Sequence, residues 1–324
     1  MTNDAMAVDE AVLETIDSSE TFGFKVPWEV RRFSDVSEHV PVVDPAFRFV
    51  PEVASPILAG FIRDRKVYVH GPHGTGKSSH IEQIAARLNW PCVRVNLDGH
   101  VTRADLVGRD MIVLQDGKQV TEFVPGILVW ALERPVALIF DEFDAGRPDV
   151  MFVIQRVLES EGRLTLLDQN RVITPHRYFR MFATANTAGQ GDSSGLYAGT
   201  QSLNQAQMDR WQLIVELGYL PEEQELAILR ARVPALDAER GRCMVRLASL
   251  SRAAFQQGDL SSFLSLRTLI IWGENFPLFE SAAEAFRFSF LNRCDTIERR
   301  LLAEFYQRCF DEELSVDDSG IALY

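Results

Sequence analysis

Hydrophobic and polar positions along the chain predict a sheet of buried strands between residues 67 and 217. Five short apolar runs have the length and composition of such strands: 67–70, 92–96, 137–141, 178–184 and 213–217. Continuous apolar runs of this kind are typical of strands that are covered on both faces. Stretches with helical spacing separate them, and strands that alternate with helices favour a parallel sheet. We therefore predict the α/β class, with helices on both faces of the sheet.

Three other patterns divide the chain. Residues 107–123 have strand-like ends around Asp116-Gly117, a strong hairpin turn signal, and residues 163–173 favour a second hairpin. After Pro221 helical spacing replaces the strand signals, so residues 222–311 predict several helices. Residues 21–60 are too apolar for a linker and favour an extension that packs on the main domain or on a neighbour. The predicted parts are an N-terminal extension (1–54), a sheet core with two hairpin inserts (55–220) and a helical lid domain (221–324).

Composition narrows the possible partners and the compartment. The 324 residues are 46% hydrophobic, enough for a full core, and the net charge of −13 disfavours nucleic acid and anionic membranes as partners. No run reaches the ~18 apolar residues of a membrane span, and the acidic N-terminus lacks the regions of a signal peptide. The four cysteines contain no C-x-x-C pair, which disfavours a disulfide framework or a zinc site. We expect a cytoplasmic protein without a membrane partner.

Residues 71–78 (GPHGTGKS) fit the phosphate-binding pattern G-x-x-x-x-G-K-[ST] in full. Glycines let successive backbone N–H groups point at phosphates, the lysine reaches the β- and γ-phosphates, and the hydroxyl binds Mg²⁺. The apolar strand KVYVH precedes this loop and the amphipathic helix SSHIEQIAARL follows it, which argues against a chance glycine-rich turn. The predicted ATP-binding residues are Gly71, Pro72, His73, Gly74, Thr75, Gly76, Lys77, Ser78 and Ser79.

Two further strands end in residues that suit ATP hydrolysis. In VALIFDEFD the apolar strand ends in Asp141, which we expect to hold Mg²⁺ through water together with Ser78, and Glu142, a candidate general base, follows directly. The alternative is an ordinary strand end with exposed acidic residues. FATAN ends in Asn186, which can orient the attacking water if its strand lies between the other two. Otherwise Asn186 is a turn-forming residue.

The order of these motifs resembles the AAA+ ATPases over about residues 55–310. The two hairpins are similar to the helix-2 and pre-sensor-1 inserts of the clade that holds MoxR-type ATPases and chelatase motor subunits. The resemblance implies that Arg210, in SLNQAQMDRW, acts in trans on the next subunit's ATP, with Trp211 where Phe is usual. It also implies that Arg267, in Ser265-Leu266-Arg267, senses nucleotide. The alternatives are a solvated surface charge for Arg210 and a local cap or pair for Arg267.

The whole-chain layout resembles the AAA+ subunits of aerobic cobaltochelatases. The shared features are the N-terminal block VPWEVRRFSDVSEHVPVVDPAFRFVPE, the phosphate-loop segment and DLVGRDMIVLQDGKQVTEFVPGILVWAL. The resemblance implies an ATPase within a cobalt chelatase, a ligase that forms cobalt–nitrogen bonds. Such a motor drives Co²⁺ insertion into hydrogenobyrinic acid a,c-diamide in aerobic cobalamin biosynthesis. It implies a homo-oligomeric ring, expected as a hexamer, with a large chelatase subunit and an integrin-like, metal-dependent adhesion subunit as partners.

Three other functions remain open at this point. A MoxR-like AAA+ chaperone could activate another metalloenzyme. A nucleic-acid-translocating motor would need basic hairpin tips, where the sequence offers only Lys118 and Arg171. A scaffold that binds ATP without hydrolysing it is disfavoured by intact Glu142, Asn186 and Arg210. The histidines near the nucleotide motif (His70, His73, His80 and His100) need not converge, so we expect cobalt to bind another subunit.

Overall fold

The chain folds into two compact units. The computed structural model describes residues 13–34, 38–115, 118–191, 200–279 and 281–315. The first unit comprises Met1–Pro45, Phe49–Pro72 and Gly76–Leu217, and the second comprises Ala46–Arg48, His73–Thr75 and Gly218–Tyr324. No helix within the described ranges is long and apolar enough to cross a membrane.

The first unit contains the strands and a set of short and medium helices. Its described strands are β1 (Leu13–Ile16), β2 (Val30–Phe33), β3 (Val67–His70), β4 (Cys92–Asn96), β5 (Gly108–Gln115), β6 (Lys118–Pro125), β7 (Ala137–Asp141), β8 (Leu164–Leu166), β9 (Arg171–Ile173), β10 (Arg180–Ala185) and β11 (Leu213–Glu216). Its described α-helices are α1 (Ser18–Phe22), α2 (Pro51–Arg63), α3 (Lys77–Arg87), α4 (Arg103–Val107), α5 (Ile127–Leu132), α6 (Pro148–Leu158) and α7 (Gln205–Met208), with a 3₁₀ turn at Phe143–Ala145.

A five-stranded parallel sheet organises this unit. The strand order is β11-β3-β10-β7-β4, so all five predicted strands enter one sheet. Strand β10 lies between β3 and β7, which is the condition we set for Asn186. Ala185 pairs with His70, and Asn96 pairs with Asp141. Because parallel strands end at the same edge, the residues that follow β3, β7 and β10 come together there.

Helices cover both faces of the sheet, as predicted. Along β7, Leu138 and Phe140 pack in a cluster with residues of α5 and α6, whereas Ala137 and Ile139 pack in a cluster with residues of α2 and α3. This alternation is the period of two that a strand imposes on its side chains. Strand β7 is therefore buried on both sides, which explains its uninterrupted apolar sequence.

Both predicted hairpins are present. Strands β5 and β6 pair antiparallel from Gly108 opposite Pro125 to Gln115 opposite Lys118, and β8 pairs with β9. The predicted turn at Asp116-Gly117 lies outside the described residues. The strands of each hairpin form a separate two-stranded ribbon and do not join the five-stranded sheet.

The N-terminal extension packs on its own chain. Phe33, at the end of β2, lies with its ring centroid 4.7 Å from that of Trp90, and the Phe33 N–H donates to the Leu88 carbonyl at 3.0 Å. Helix α2 begins at Pro51 and runs through residue 54, where we expected the extension to end. The three-part domain division stays a prediction.

The second unit is helical, as predicted. Its described α-helices are α8 (Glu222–Arg232), α9 (Ala238–Gln257), α10 (Leu266–Asn275), α11 (Ala282–Ser289) and α12 (Thr296–Phe310), with 3₁₀ turns at Phe276–Leu278 and Leu291–Arg293. A buried ion pair links α8 and α9, since Arg252 Nη1 donates to Glu225 Oε1 at 2.8 Å. Burial raises the pKa of the Glu225 carboxyl, and the charge of Arg252 opposes that shift.

The packing of the extension predicts a stability difference between two Phe→Ala variants. Phe33 is 6% exposed, so Phe33→Ala should lower the free energy of unfolding by about 3 kcal/mol. Phe152, on α6, is 69% exposed, and Phe152→Ala should change it by less than about 0.5 kcal/mol. Urea denaturation followed by tryptophan fluorescence measures both. Equal stability of the two variants would contradict packing of Phe33 on this chain.

Candidate active site

The phosphate loop joins β3 to α3 through three glycines in conformations that other residues rarely adopt. Gly71, Gly74 and Gly76 have φ values of 148°, 77° and 90°. A Cβ on Gly71 would lie 2.0 Å from the Leu217 carbonyl oxygen, so no larger residue fits there. Gly76 caps the N-terminus of α3, which begins at Lys77. The loop therefore leads directly into the positive end of an eleven-residue helix, an arrangement suited to phosphate.

Lys77 is buried, and its ammonium group is held by oxygen atoms. Nζ donates to the carbonyl oxygens of Gly71 and Pro72 at 2.7 and 2.9 Å and to Oδ1 of Asn186 at 3.0 Å. Burial lowers the pKa of Lys77 to about 8, although the charges of Asp144 and the Asp141–Glu142 pair oppose the shift. A buried cation with uncharged contacts is suited to an anionic ligand, and the triphosphate of ATP is such a ligand.

Asp141 connects the phosphate loop with two strands of the sheet. Its Oδ1 accepts from the hydroxyls of Ser78 and Thr184, each at 2.6 Å. Its Oδ2 accepts from Arg94, with Nε at 2.7 Å and Nη2 also in contact. The Ser78 hydroxyl and the Asp141 carboxylate are hard oxygen donors within hydrogen-bond distance of each other, so the donor set fits Mg²⁺.

Glu142 occupies a strained backbone position directly after β7. Its φ and ψ are 54° and 44°, in the left-handed region, which costs a non-glycine residue roughly 1–2 kcal/mol. The Ala145 N–H donates to its carbonyl at 2.8 Å and stabilises the turn. Glu142 is half-buried, and its charge opposes the lowering of the Lys77 pKa by burial. Strain of this kind is common at catalytic residues.

Asn186 follows β10 and is fixed by a residue that the sequence analysis did not single out. Asp144 is 1% exposed, and its Oδ2 accepts from the backbone N–H groups of Asn186 and Thr187 at 3.1 and 2.9 Å. The same oxygen accepts from the Thr187 hydroxyl at 2.8 Å. Asp144 therefore positions the turn from which Asn186 contacts Lys77.

The guanidinium of Arg210 contacts residues of, or next to, helices α6 and α7. It lies 3.8 Å from the Glu159 carboxylate and donates to the Ala206 carbonyl. The next residue, Trp211, is buried against Tyr68 and Phe143, with ring centroids 5.7 and 5.2 Å away. This packing anchors the segment that carries Arg210 while the arginine itself remains partly exposed.

Three further predicted residues, Arg267, Ser79 and His73, lie in the first turn of a helix or in the phosphate loop. Arg267 is exposed in the first turn of α10, whose N-cap is the Ser265 hydroxyl, with the Thr268 N–H donating to it at 3.2 Å. Ser79 is half-buried in the first turn of α3, and His73 is exposed. Within the described ranges, no three His, Cys, Asp or Glu side chains are grouped so as to hold a metal ion.

Comparisons with known proteins place the chain in a family. Residues 66–203 match the family described as AAA domain (dynein-related subfamily). The aerobic cobaltochelatase subunit CobS of Sinorhizobium sp is 58% identical over 313 residues, which cover 95% of this chain and 94% of that protein. The chain belongs to the CobS family.

More distant relatives share parts of the sequence. The gas vesicle ATPase GvpN of Haloferax mediterranei is 30% identical over 56% of this chain and 55% of that protein. Midasin of Dictyostelium discoideum is 25% identical over 73% of this chain and 4% of that protein. The solved RuvB Holliday junction branch migration motor of Thermotoga maritima has a TM-score of 0.46 and 15% identity over 79% of this chain and 66% of that chain.

Membership of the CobS family confirms the predicted identity and the AAA-type ATPase class. A member with this domain binds nucleotide. The structure brings Lys77 to Asn186 and Ser78 to Asp141 as expected, whereas Arg210 contacts Glu159. Three residues of this site were missed: Asp144, Thr184 and Arg94. The final Asp of VALIFDEFD and the Thr of FATAN lie within the quoted motifs, whereas only the strand order brings Arg94 to Asp141.

The position of Asp144 predicts a separation between ATP binding and turnover. Asp144→Asn should reduce ATP turnover by roughly 10- to 100-fold, because it weakens the bonds that hold the Asn186 turn. It should leave the dissociation constant for ATP within about threefold, because the phosphate loop is intact. Steady-state phosphate release and titration calorimetry measure the two quantities.

The matched control is Asp149→Asn, an exposed residue of α6 that pairs with Arg147. It should change neither quantity, since it lies outside this hydrogen-bond network. If Asp144→Asn turns over ATP at the wild-type rate, Asp144 does not position the site.

Proposed function

We propose that this chain is the ATP-hydrolysing motor subunit of an aerobic cobaltochelatase. Its ATPase would drive Co²⁺ insertion into hydrogenobyrinic acid a,c-diamide in aerobic cobalamin biosynthesis. The observation that carries the proposal is the 58% identity to a cobaltochelatase subunit across 95% of the chain, including the N-terminal extension. The hydrogen bonds of Lys77 with Asn186 and of Ser78 with Asp141 support the ATPase part independently.

In this proposal each polar residue at the sheet edge has a separate task. Lys77 neutralises the β- and γ-phosphates and gives up its contacts to the loop carbonyls to do so. Ser78 and Asp141 hold Mg²⁺, which supplies positive charge to the phosphate oxygens when bound. Glu142 accepts a proton from the attacking water as general base, and Asn186 orients that water.

We further propose that the active site is completed by a neighbouring subunit in a ring, expected as a hexamer. Arg210 contacts Glu159 and Ala206, and it remains partly exposed. An arginine in this state is available to the ATP of the next copy, where it would stabilise charge on the transferred phosphoryl group. Arg267 would sense whether nucleotide is bound.

The partners in the proposal are a large chelatase subunit and an integrin-like, metal-dependent adhesion subunit, and the complex would act in the cytoplasm. The net charge of −13 supports docking to proteins rather than to nucleic acid. In the β5–β6 hairpin, Ile112 and Leu114 are 70% and 75% exposed, which makes this hairpin a candidate contact with those partners.

Reconstitution of cobalt insertion tests the proposal. The chain is mixed with the two partner subunits, Co²⁺, ATP and hydrogenobyrinic acid a,c-diamide, and cobalt incorporation is followed by absorbance. Omission of the chain, or its replacement by Lys77→Ala, should stop incorporation because nucleotide binding is lost. Arg210→Ala should also stop it while it retains ATP binding, since arginine fingers contribute about 10³-fold or more to turnover.

Mixed rings provide the control for action in trans. Lys77→Ala and Arg210→Ala subunits together should recover part of the ATPase, because one interface in the mixed ring can combine an intact loop with an intact arginine. Incorporation of cobalt at the same rate without this chain would contradict the chelatase function. In that case a chaperone that activates another metalloenzyme becomes the better interpretation.

A further inference from the structure

Every acceptor position of the Asp141 carboxylate is used by the protein itself. An ionised carboxylate has about four lone-pair positions. Oδ1 accepts from Ser78 and Thr184, and Oδ2 accepts from two nitrogens of Arg94. A water bound to Mg²⁺ can therefore donate to Asp141 only if one of these donors leaves.

Arg94 is the donor that can leave most easily. Thr184 is buried within β10, and the Ser78 hydroxyl belongs to the proposed metal site itself. The Arg94 side chain is 45% exposed and already has a second partner, because its Nη1 donates to Glu82 Oε1 at 3.1 Å. The guanidinium can therefore give up its contact with Asp141 and still keep a charged contact with Glu82, on α3.

Electrostatics favours the same exchange. A guanidinium keeps its charge at any ordinary pH, so Arg94 and a divalent cation repel each other at one carboxylate. In the absence of the metal, Arg94 neutralises Asp141, which is otherwise a nearly buried anion. Arg94 and Mg²⁺ are thus alternative counterions of the same side chain.

We propose that Arg94 competes with Mg²⁺ for Asp141 and moves to Glu82 when the metal–nucleotide complex binds. This inference rests on the proposed ATPase site and adds a residue that sets its metal affinity. Arg94 would act as a positioning residue that neutralises Asp141 until the metal binds, and its move would couple metal binding to the contact between Arg94 on β4 and Glu82 on α3.

Metal binding without turnover tests the proposal. The full-length chain is titrated with Mn²⁺ in the presence of a non-hydrolysable ATP analogue, and free Mn²⁺ is read from its electron paramagnetic resonance spectrum. Arg94→Gln should lower the half-saturating Mn²⁺ concentration by roughly three- to tenfold, the scale of a half-exposed ion pair. Glu82→Gln should raise it, because Arg94 loses the partner to which it moves.

Arg94→Lys separates competition from a simple charge effect. Lysine keeps the charge but cannot present the planar pair of donors of arginine, so it leaves an acceptor position on Asp141 open. Competition predicts that Arg94→Lys also lowers the half-saturating concentration, whereas a charge effect alone predicts the wild-type value. The matched control, Arg31→Gln, removes a charge from β2 outside the site and should have no effect.

Two outcomes of the Mn²⁺ titration would contradict the proposal. If Arg94→Gln leaves the half-saturating Mn²⁺ concentration unchanged or raises it, Arg94 does not compete with the metal. If Arg94→Lys retains the wild-type value, the charge at this position accounts for the effect, and the proposed exchange of hydrogen bonds on Asp141 does not occur. The measurement follows Mn²⁺ directly, so it stands whether or not the same preparation inserts cobalt. Failure of the chelatase function would appear only in the reconstitution with the partner subunits.

Discussion

The site depends on the hydrogen bonds that the Asp141 carboxylate accepts. The carboxylate receives hydrogen bonds from the phosphate loop through Ser78, from β10 through Thr184 and from β4 through Arg94. These three segments are far apart in sequence and meet only because β7 lies between β10 and β4 in the sheet. A buried carboxylate must be paired or hydrogen-bonded. Asp141 can therefore be buried only because the strand order brings these donors to it, and the donors in turn hold the three segments together.

Near Asp141, two residues are held in energetically unfavourable states that suit catalysis. Burial lowers the pKa of Lys77 to about 8, and Glu142 is held in a left-handed conformation. A triphosphate would stabilise the ammonium form of Lys77, so ATP binding at a pH above its lowered pKa should be accompanied by proton uptake. The packed sheet and the turn fixed by Asp144 offset the cost of these arrangements.

The sequence predicted the sheet well because its buried strands have strong local signals. The bounds of β3, β4 and β7 agree with the predicted runs, whereas β10 begins two residues later than expected. There the Phe179 N–H donates to the His176 carbonyl in a turn, and the chain becomes extended only at Arg180. An apolar aromatic pair, Tyr178 and Phe179, has the composition of a strand but packs outside the ladder.

Contacts within the candidate site were predictable where one motif carries a residue type that the proposed chemistry requires, as with Lys77, Asp141 and Asn186. They were not predictable where the role comes from strand order. Arg94 is an ordinary polar position within CVRVN until β4 is placed beside β7. Asp144 looks like a third acidic residue at a strand end, yet it is buried and bonds the turn after β10.

The central claim is that this sheet edge hydrolyses ATP with Glu142 as the base. The most direct measurement compares nucleotide binding with phosphate release for Glu142→Gln in the assembled protein, with the exposed Glu161→Gln as control. The account predicts an ATP dissociation constant within about threefold of the wild-type value and phosphate release slower by ~10²-fold or more, with both quantities unchanged in Glu161→Gln. Phosphate release by Glu142→Gln at the wild-type rate would contradict it.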